Sequence, residues 1–184
     1  MNASLLAVSL LLAAPAFAQH FHQSAPHGAQ GHAQHQHGSS VYAGMENRAI
    51  KALSKQQIDD IRAGKGMSLA LPAELNGYPG PLHALELADA LDLSEEQKIK
   101  IQELFAQMQM EAKRLGEQLI TQEYELDRLF KDRKATLESV QQLAAKAALA
   151  HAELRTAHLN YHLKMTEVLT AKQVAKYNQL RGYR

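Results

Sequence analysis

Apolar residues recur at steps of three and four through the C-terminal half of the chain. Ile101, Leu104, Met108, Leu115, Leu119, Leu126 and Leu129 keep that spacing from Ser94 to about Lys131, which predicts one long amphipathic helix. At 1.5 Å per residue it would run about 57 Å. Lys131-Asp132-Arg133-Lys134 interrupts the pattern with charge and reads as the tip of a hairpin. From Thr136 the period resumes through Leu137, Val140, Ala144, Ala147, His151, Leu154, His158, Tyr161, Met165 and Val168, a heptad seam on a second long helix. Much of that seam is alanine, which predicts close packing of the two helices. With the tip centred near Arg133, Gly116 falls opposite His151 and is expected to make room for its ring.

The helix starts are marked as well. Leu93-Ser94-Glu95-Glu96-Gln97 and Leu169-Thr170-Ala171-Lys172-Gln173 each place Gln three residues after a hydroxyl residue. That is a capping box: the hydroxyl accepts from the third backbone N–H, and the Gln side chain reaches back to the first. Leu53-Ser54-Lys55-Gln56-Gln57 is a third copy, with Ile58 at the staple position opposite Leu53 and Gly64 as a C-terminal stop. Ser68–Leu75 is apolar and ambiguous between strand and helix. Asn76-Gly77-Tyr78-Pro79-Gly80-Pro81 must bend the chain, and Pro81 suits the first position of a helix from about Leu82 to Leu91, with an elbow at Asp92 and Leu93.

The fold class expected is therefore all-α: a long antiparallel helical hairpin over 93–184, with short flanking helices in a brace over 41–92. Met1–Ala18 reads as a signal peptide, because Leu5–Ala14 is a short apolar run and Ala16-Phe17-Ala18 a small-x-small cleavage site. Its export target is the periplasm. Segment 19–40 is a His-rich tail whose Gln, Gly, Ala and Ser cannot form an apolar face, so disorder is expected there.

Composition narrows the function. Tryptophan is absent, aromatics are 5%, and cysteine is absent, which removes disulfides, zinc–thiolate sites and thiol nucleophiles. A net charge of +1 gives no broad phosphate-binding field, so nucleic acid is not expected as a partner. No phosphate loop or nucleophile arrangement stands in the chain, and no enzyme or organic cofactor is expected. The leader's apolar run is too short to span a bilayer, and no stable membrane insertion is expected. Phe105, Leu143, Leu149, Leu159 and Leu163 lie off the main seam, and a homodimer would cover them.

Candidate chemistry gathers on histidine. His20, His22, His27, His32, His35 and His37 crowd the tail, and neutral imidazole is a ligand for Zn, Cu or Ni. His158 and His162, four apart, project from one helix face and would share a metal. Antiparallel pairing brings Met108, Met110 and Glu111 near His158, and Glu103 and Phe105 near His162, with Met165 a turn along. The competing reading makes His158 a seam histidine bonded to a backbone or Glu partner, and leaves His162 in solvent. His151 reads as a packed seam residue. His158-Leu159-Asn160-Tyr161-His162 has Leu where a zinc-protease motif needs Glu. Met67, Met108, Met110 and Met165 read either as core filling or as an adaptable client surface.

The Leu-Ser/Thr-x-x-Gln pattern at the head of a long helix and again at the head of the last helix resembles the LTxxQ-motif family of periplasmic proteins, the group around Spy, CpxP, ZraP and CnrX. Leu93, Ser94 and Gln97, with Leu169, Thr170 and Gln173, are the residues that match, and the resemblance covers Leu93 to about Tyr183. It implies an all-α homodimer with a cradle of long bent helices. It further implies one of two roles. The first is a metal or envelope-stress protein that binds transition metals and holds unfolded periplasmic proteins as an ATP-independent chaperone. The second is a heavy-metal sensor that modulates a membrane kinase or anti-sigma partner. The motif residues themselves are expected to be structural.

Overall fold

The computed structural model describes residues 40–183, so the leader and His20, His22, His27, His32, His35 and His37 lie outside the described residues. Six α-helices follow a 3₁₀ turn at Met45–Asn47: α1 Lys55–Arg62, α2 Leu71–Glu74, α3 Pro81–Glu86, α4 Glu95–Lys131, α5 Leu137–Val168 and α6 Ala171–Arg181. Among the described residues there is no strand, and the fold is all-α. Helices α4 and α5 pack along each other as the hairpin.

Local chemistry sets the boundaries. Ser54, Ser94 and Thr170 each cap a helix with the Gln three residues on completing the box. Thr136 caps α5 in the same way with Ser139. The tip turns on Arg133, at φ 57°, a left-handed residue that stops α4 after its Asp132 cap. Pro81 opens α3, but that helix ends at Glu86 and turns carry the chain to Asp92, which takes φ 52° at the expected elbow. The ambiguous Ser68–Leu75 stretch resolves into turns and the single helical turn of α2.

The apolar residues form two clusters along the hairpin. Near its open end, Leu91, Leu93, Ile101, Leu104, Tyr161, Met165, Leu169 and Tyr177 bury one another. Further up, Ile50 and Ile61 join Ala112, Leu115, Leu119, Ile120, Ala150, Leu154 and Ala157. Helix α1 lies on α4, α2 on α5, and α3 touches both. From Thr121 to Lys146 no residue is buried: the N-terminal segment reaches α4 at Asp127, which accepts from the Lys51 N–H at 3.2 Å, and among the described residues the two long helices are alone beyond it.

Two seam expectations are corrected. His151 is exposed, and Ala150 takes the buried position at that level. The small side chain suits the close approach of the helices, and the imidazole avoids desolvation. Gly116 makes room for Ile61 of α1, not for His151: a Cβ there would press on Ile61 Cγ2 and stand 3.1 Å from the Ile61 carbonyl oxygen. Its role is to let a third helix approach α4. Ala144 and Leu137 also face outward. Nearer the open end the buried stripe of α5 widens to Ala157, His158, Tyr161, His162 and Met165, because α2 and α3 cover it together with α4.

Candidate functional site

The two Leu-Ser/Thr-x-x-Gln segments meet in space. Gln97 Nε2 donates to Gln173 Oε1 at 2.9 Å, and Gln173 Nε2 donates back to Gln97 Oε1 at 3.0 Å. Gln97 Nε2 also donates to the Val168 carbonyl at 2.9 Å. Each Gln oxygen meanwhile accepts from its own cap, Ser94 N–H at 3.1 Å and Thr170 N–H at 2.9 Å. Leu93 and Leu169 are buried beneath this junction. The glutamines thus cap their own helices and tie the start of α4 to the start of α6. No charge or nucleophile enters the junction, so its chemistry is that of a clamp.

A cavity of about 420 Å³ opens on the side of the hairpin where the α1–α3 segment crosses it. Its wall includes Gly66, Met67, Phe105, Met108, His158 and His162. His162 Nδ1 lies 2.7 Å from the Tyr78 carbonyl oxygen. A carbonyl only accepts, so Nδ1 carries a proton, and in the neutral ring Nε2 is then the nitrogen with the lone pair. Nε2 lies towards Gly80: a Cβ there would stand 3.2 Å from it, which makes that glycine necessary to the ring's position. His158 is 2% exposed, and its Nε2 has no hydrogen-bond partner among the described residues. Its Nδ1 lies towards Gly66, where an added Cβ would be 3.9 Å away. Burial, reinforced by the neighbouring His162, lowers the proton affinity of His158 below that of an ordinary imidazole.

Beside the pair lies a buried carboxylate. Glu74 Oε1 accepts from the hydroxyls of Tyr177 and Tyr183, and Arg181 Nε stands 3.6 Å from it. Oε2 accepts from Gly80 N–H at 3.2 Å and lies 3.7 Å from His162 Nδ1. Burial, with the Glu74 bond and charge, raises the Tyr177 hydroxyl far above the usual phenol range. Glu74 thereby joins α2 to α6 and to the last residues of the chain.

His158 and His162 therefore line one cavity, and both are buried. His162 is not in solvent, because the turn at Tyr78–Gly80 folds over it. His158 is bonded to neither a backbone nor a Glu partner through Nε2. Met108 joins the pair on the cavity wall, whereas Met110 is 69% exposed. Glu111 accepts from the Tyr161 hydroxyl at 3.1 Å. Among the described residues no three His, Asp or Glu side chains converge as a metal set. Glu74, Tyr177 and Arg181 belong to no sequence motif, and the turn containing Gly80 carries no sign of the ring packed against it. A lone glutamate in the apolar Ser68–Leu75 stretch was the available sign, since an isolated carboxylate between apolar neighbours is a candidate for burial with partners.

A two-helix hairpin, closed by short helices and latched where two glutamine capping motifs meet, defines an all-helical class of LTxxQ proteins. The chain belongs to the LTXXQ motif family, whose model matches residues 82–181. No curated protein and no solved structure matches the chain.

Proposed function

We propose that this is a periplasmic, non-catalytic protein of metal or envelope stress, which holds unfolded clients without ATP and binds transition metal ions. The observation that carries the client-binding half is the run of large apolar side chains left in solvent along both long helices. Ile99, Met110, Tyr124, Phe130, Leu137, Leu149 and Leu163 are all exposed, Leu137 to 84%. Lys and Arg stand between them, so the surface stays soluble while offering apolar contacts to a partly unfolded chain. The tip beyond Asp127, where no third element covers the two helices among the described residues, supports a homodimer of the Spy or CpxP kind.

The metal-binding half rests on the tail histidines and on the His158–His162 pair, with Zn, Cu and Ni as candidates. The pair, built into the bundle and not on a tail, favours one second reading: a sensor whose metal load modulates a membrane kinase or anti-sigma partner.

Suppression of aggregation of an unrelated unfolded protein, at less than one equivalent, tests the chaperone. Joint replacement of Leu137, Leu149 and Leu163 by Ser should abolish that suppression while the helical content stays unchanged. Full suppression by the triple variant refutes the assigned surface. No suppression by the natural chain refutes the chaperone and leaves the sensor.

A further inference from the structure

Resting on the metal-binding reading, we propose that the cavity beside Glu74 is a site for a soft monovalent cation, Cu(I), held by His158, His162 and the thioether of Met108. Met67 is also on its wall.

The donor set argues for that charge and softness. His162 is already oriented as a ligand. Its Nδ1–H is fixed on the Tyr78 carbonyl, which leaves Nε2 free towards the cavity side of Gly80. A metal-bound histidine is typically held in this way through its other nitrogen. His158, one turn away and 2% exposed, has no hydrogen-bond partner for its buried Nε2, and its Nδ1 is the nitrogen that lies towards Gly66 on the cavity wall. The third imidazole on the wall, His83, is drawn to Glu86 at 3.0 Å.

The carboxylate on the cavity wall, Glu74, is already engaged: Oε1 accepts from Tyr177 and Tyr183, Oε2 from the Gly80 N–H, and the Arg181 guanidinium stands 3.6 Å away. The remaining donors, two imidazoles and a thioether, are all neutral. Burying a divalent ion among neutral ligands leaves two uncompensated charges in a poorly solvated place, whereas a monovalent ion leaves one. Thioether sulfur also selects Cu(I) over harder ions.

The backbone that lines the cavity takes an uncommon conformation at two residues. Met67 and Ser68 are consecutive left-handed residues, at φ 41° and 65°, neither of them glycine. Met67 lines the cavity beside Gly66, with His158 also on the wall. Strain of this kind persists where a segment is held for a purpose.

The test is an anaerobic competition titration of Cu(I) against a chromophoric Cu(I) chelator, using the full-length exported chain. A variant with the six tail histidines (His20, His22, His27, His32, His35, His37) changed to Gln removes tail binding. In that background one tight equivalent of Cu(I) should remain, with a Cu–S contribution in X-ray absorption. Met108→Leu, nearly volume-conserving, and His158→Gln should each weaken it by more than about 10-fold. Loss of all binding with the tail histidines overturns the cavity site. So does an affinity unmoved by either substitution, or absorption without Cu–S scattering. Tighter binding of Zn(II) than of Cu(I) overturns the choice of ion. If the natural chain binds no transition metal at all, the broader metal reading fails as well; failure of the cavity alone leaves tail binding intact.

Discussion

His158 is a base kept neutral by its surroundings. Burial, with His162 beside it, holds it below the ordinary value near 6.5. As pH falls through that value, the unfolded chain takes up the proton and the folded chain does not. The unfolded state then binds more protons, so stability falls with acid until the lowered folded value is passed, and there it levels off. Denaturant unfolding followed from about pH 7.5 to 5 should show this slope. His158→Gln should flatten it, and an unchanged slope in that variant means the ring is protonated in the fold. Glu74 is a buried carboxylate held by hydrogen bonds from its partners. Glu74→Ala strands the buried Tyr177 hydroxyl and frees Arg181, and should cost about 1–3 kcal/mol of unfolding free energy. Within error of zero, the Tyr177 bond would be structurally idle.

Between elements, two small contacts govern how helices meet. The Gln97–Gln173 pair links helices that begin seventy-six residues apart in the chain. Each glutamine also caps its own helix, so single replacements mix two effects. A double-mutant cycle over Gln97→Ala and Gln173→Ala separates them, with an expected coupling between about 0.5 and 3 kcal/mol. Simple additivity would show two independent caps. Gly116 governs the approach of α1. Its replacement by Ala pushes on the Ile61 side chain and on a carbonyl that cannot swing away, so about 1–3 kcal/mol of destabilisation is expected in thermal or denaturant unfolding. No loss would mean that α1 is free to lift from α4.

Across the whole molecule, burial is uneven. The open end packs α2, α3 and α6 around the hairpin, and α1 with the Ile50–Lys51 segment covers its middle as far as Asp127, whereas beyond that the tip has only its two helices among the described residues. Amide exchange should therefore be faster over 121–146 than over 101–120 and 147–165, in the isolated protomer. If association through the tip occurs, protection there should rise with protein concentration. The same unevenness places the His158–His162 cavity at the well-packed end, and the exposed apolar side chains of the tip at the other.

The helix starts at Ser54, Ser94 and Thr170 were legible from residues alone, because a hydroxyl followed by Gln three positions on satisfies backbone donors within one turn. So were the long helices, whose three/four period needs no knowledge of a partner, and the tip, where four charged residues cannot pack. What the tertiary structure decided is everything that depends on which helix face meets which element. A heptad reading cannot tell Ala150 from His151 when both lie near the seam, and the choice fell to the side chain that lets the helices close. Gly116 announced a close approach but not that Ile61 would make it. The burial of His162 depends on a turn more than eighty residues earlier folding across it, and that of Glu74 on tyrosines over a hundred residues later. Local hydrogen bonds are written in short stretches of sequence; desolvation is set by whatever the rest of the chain brings near.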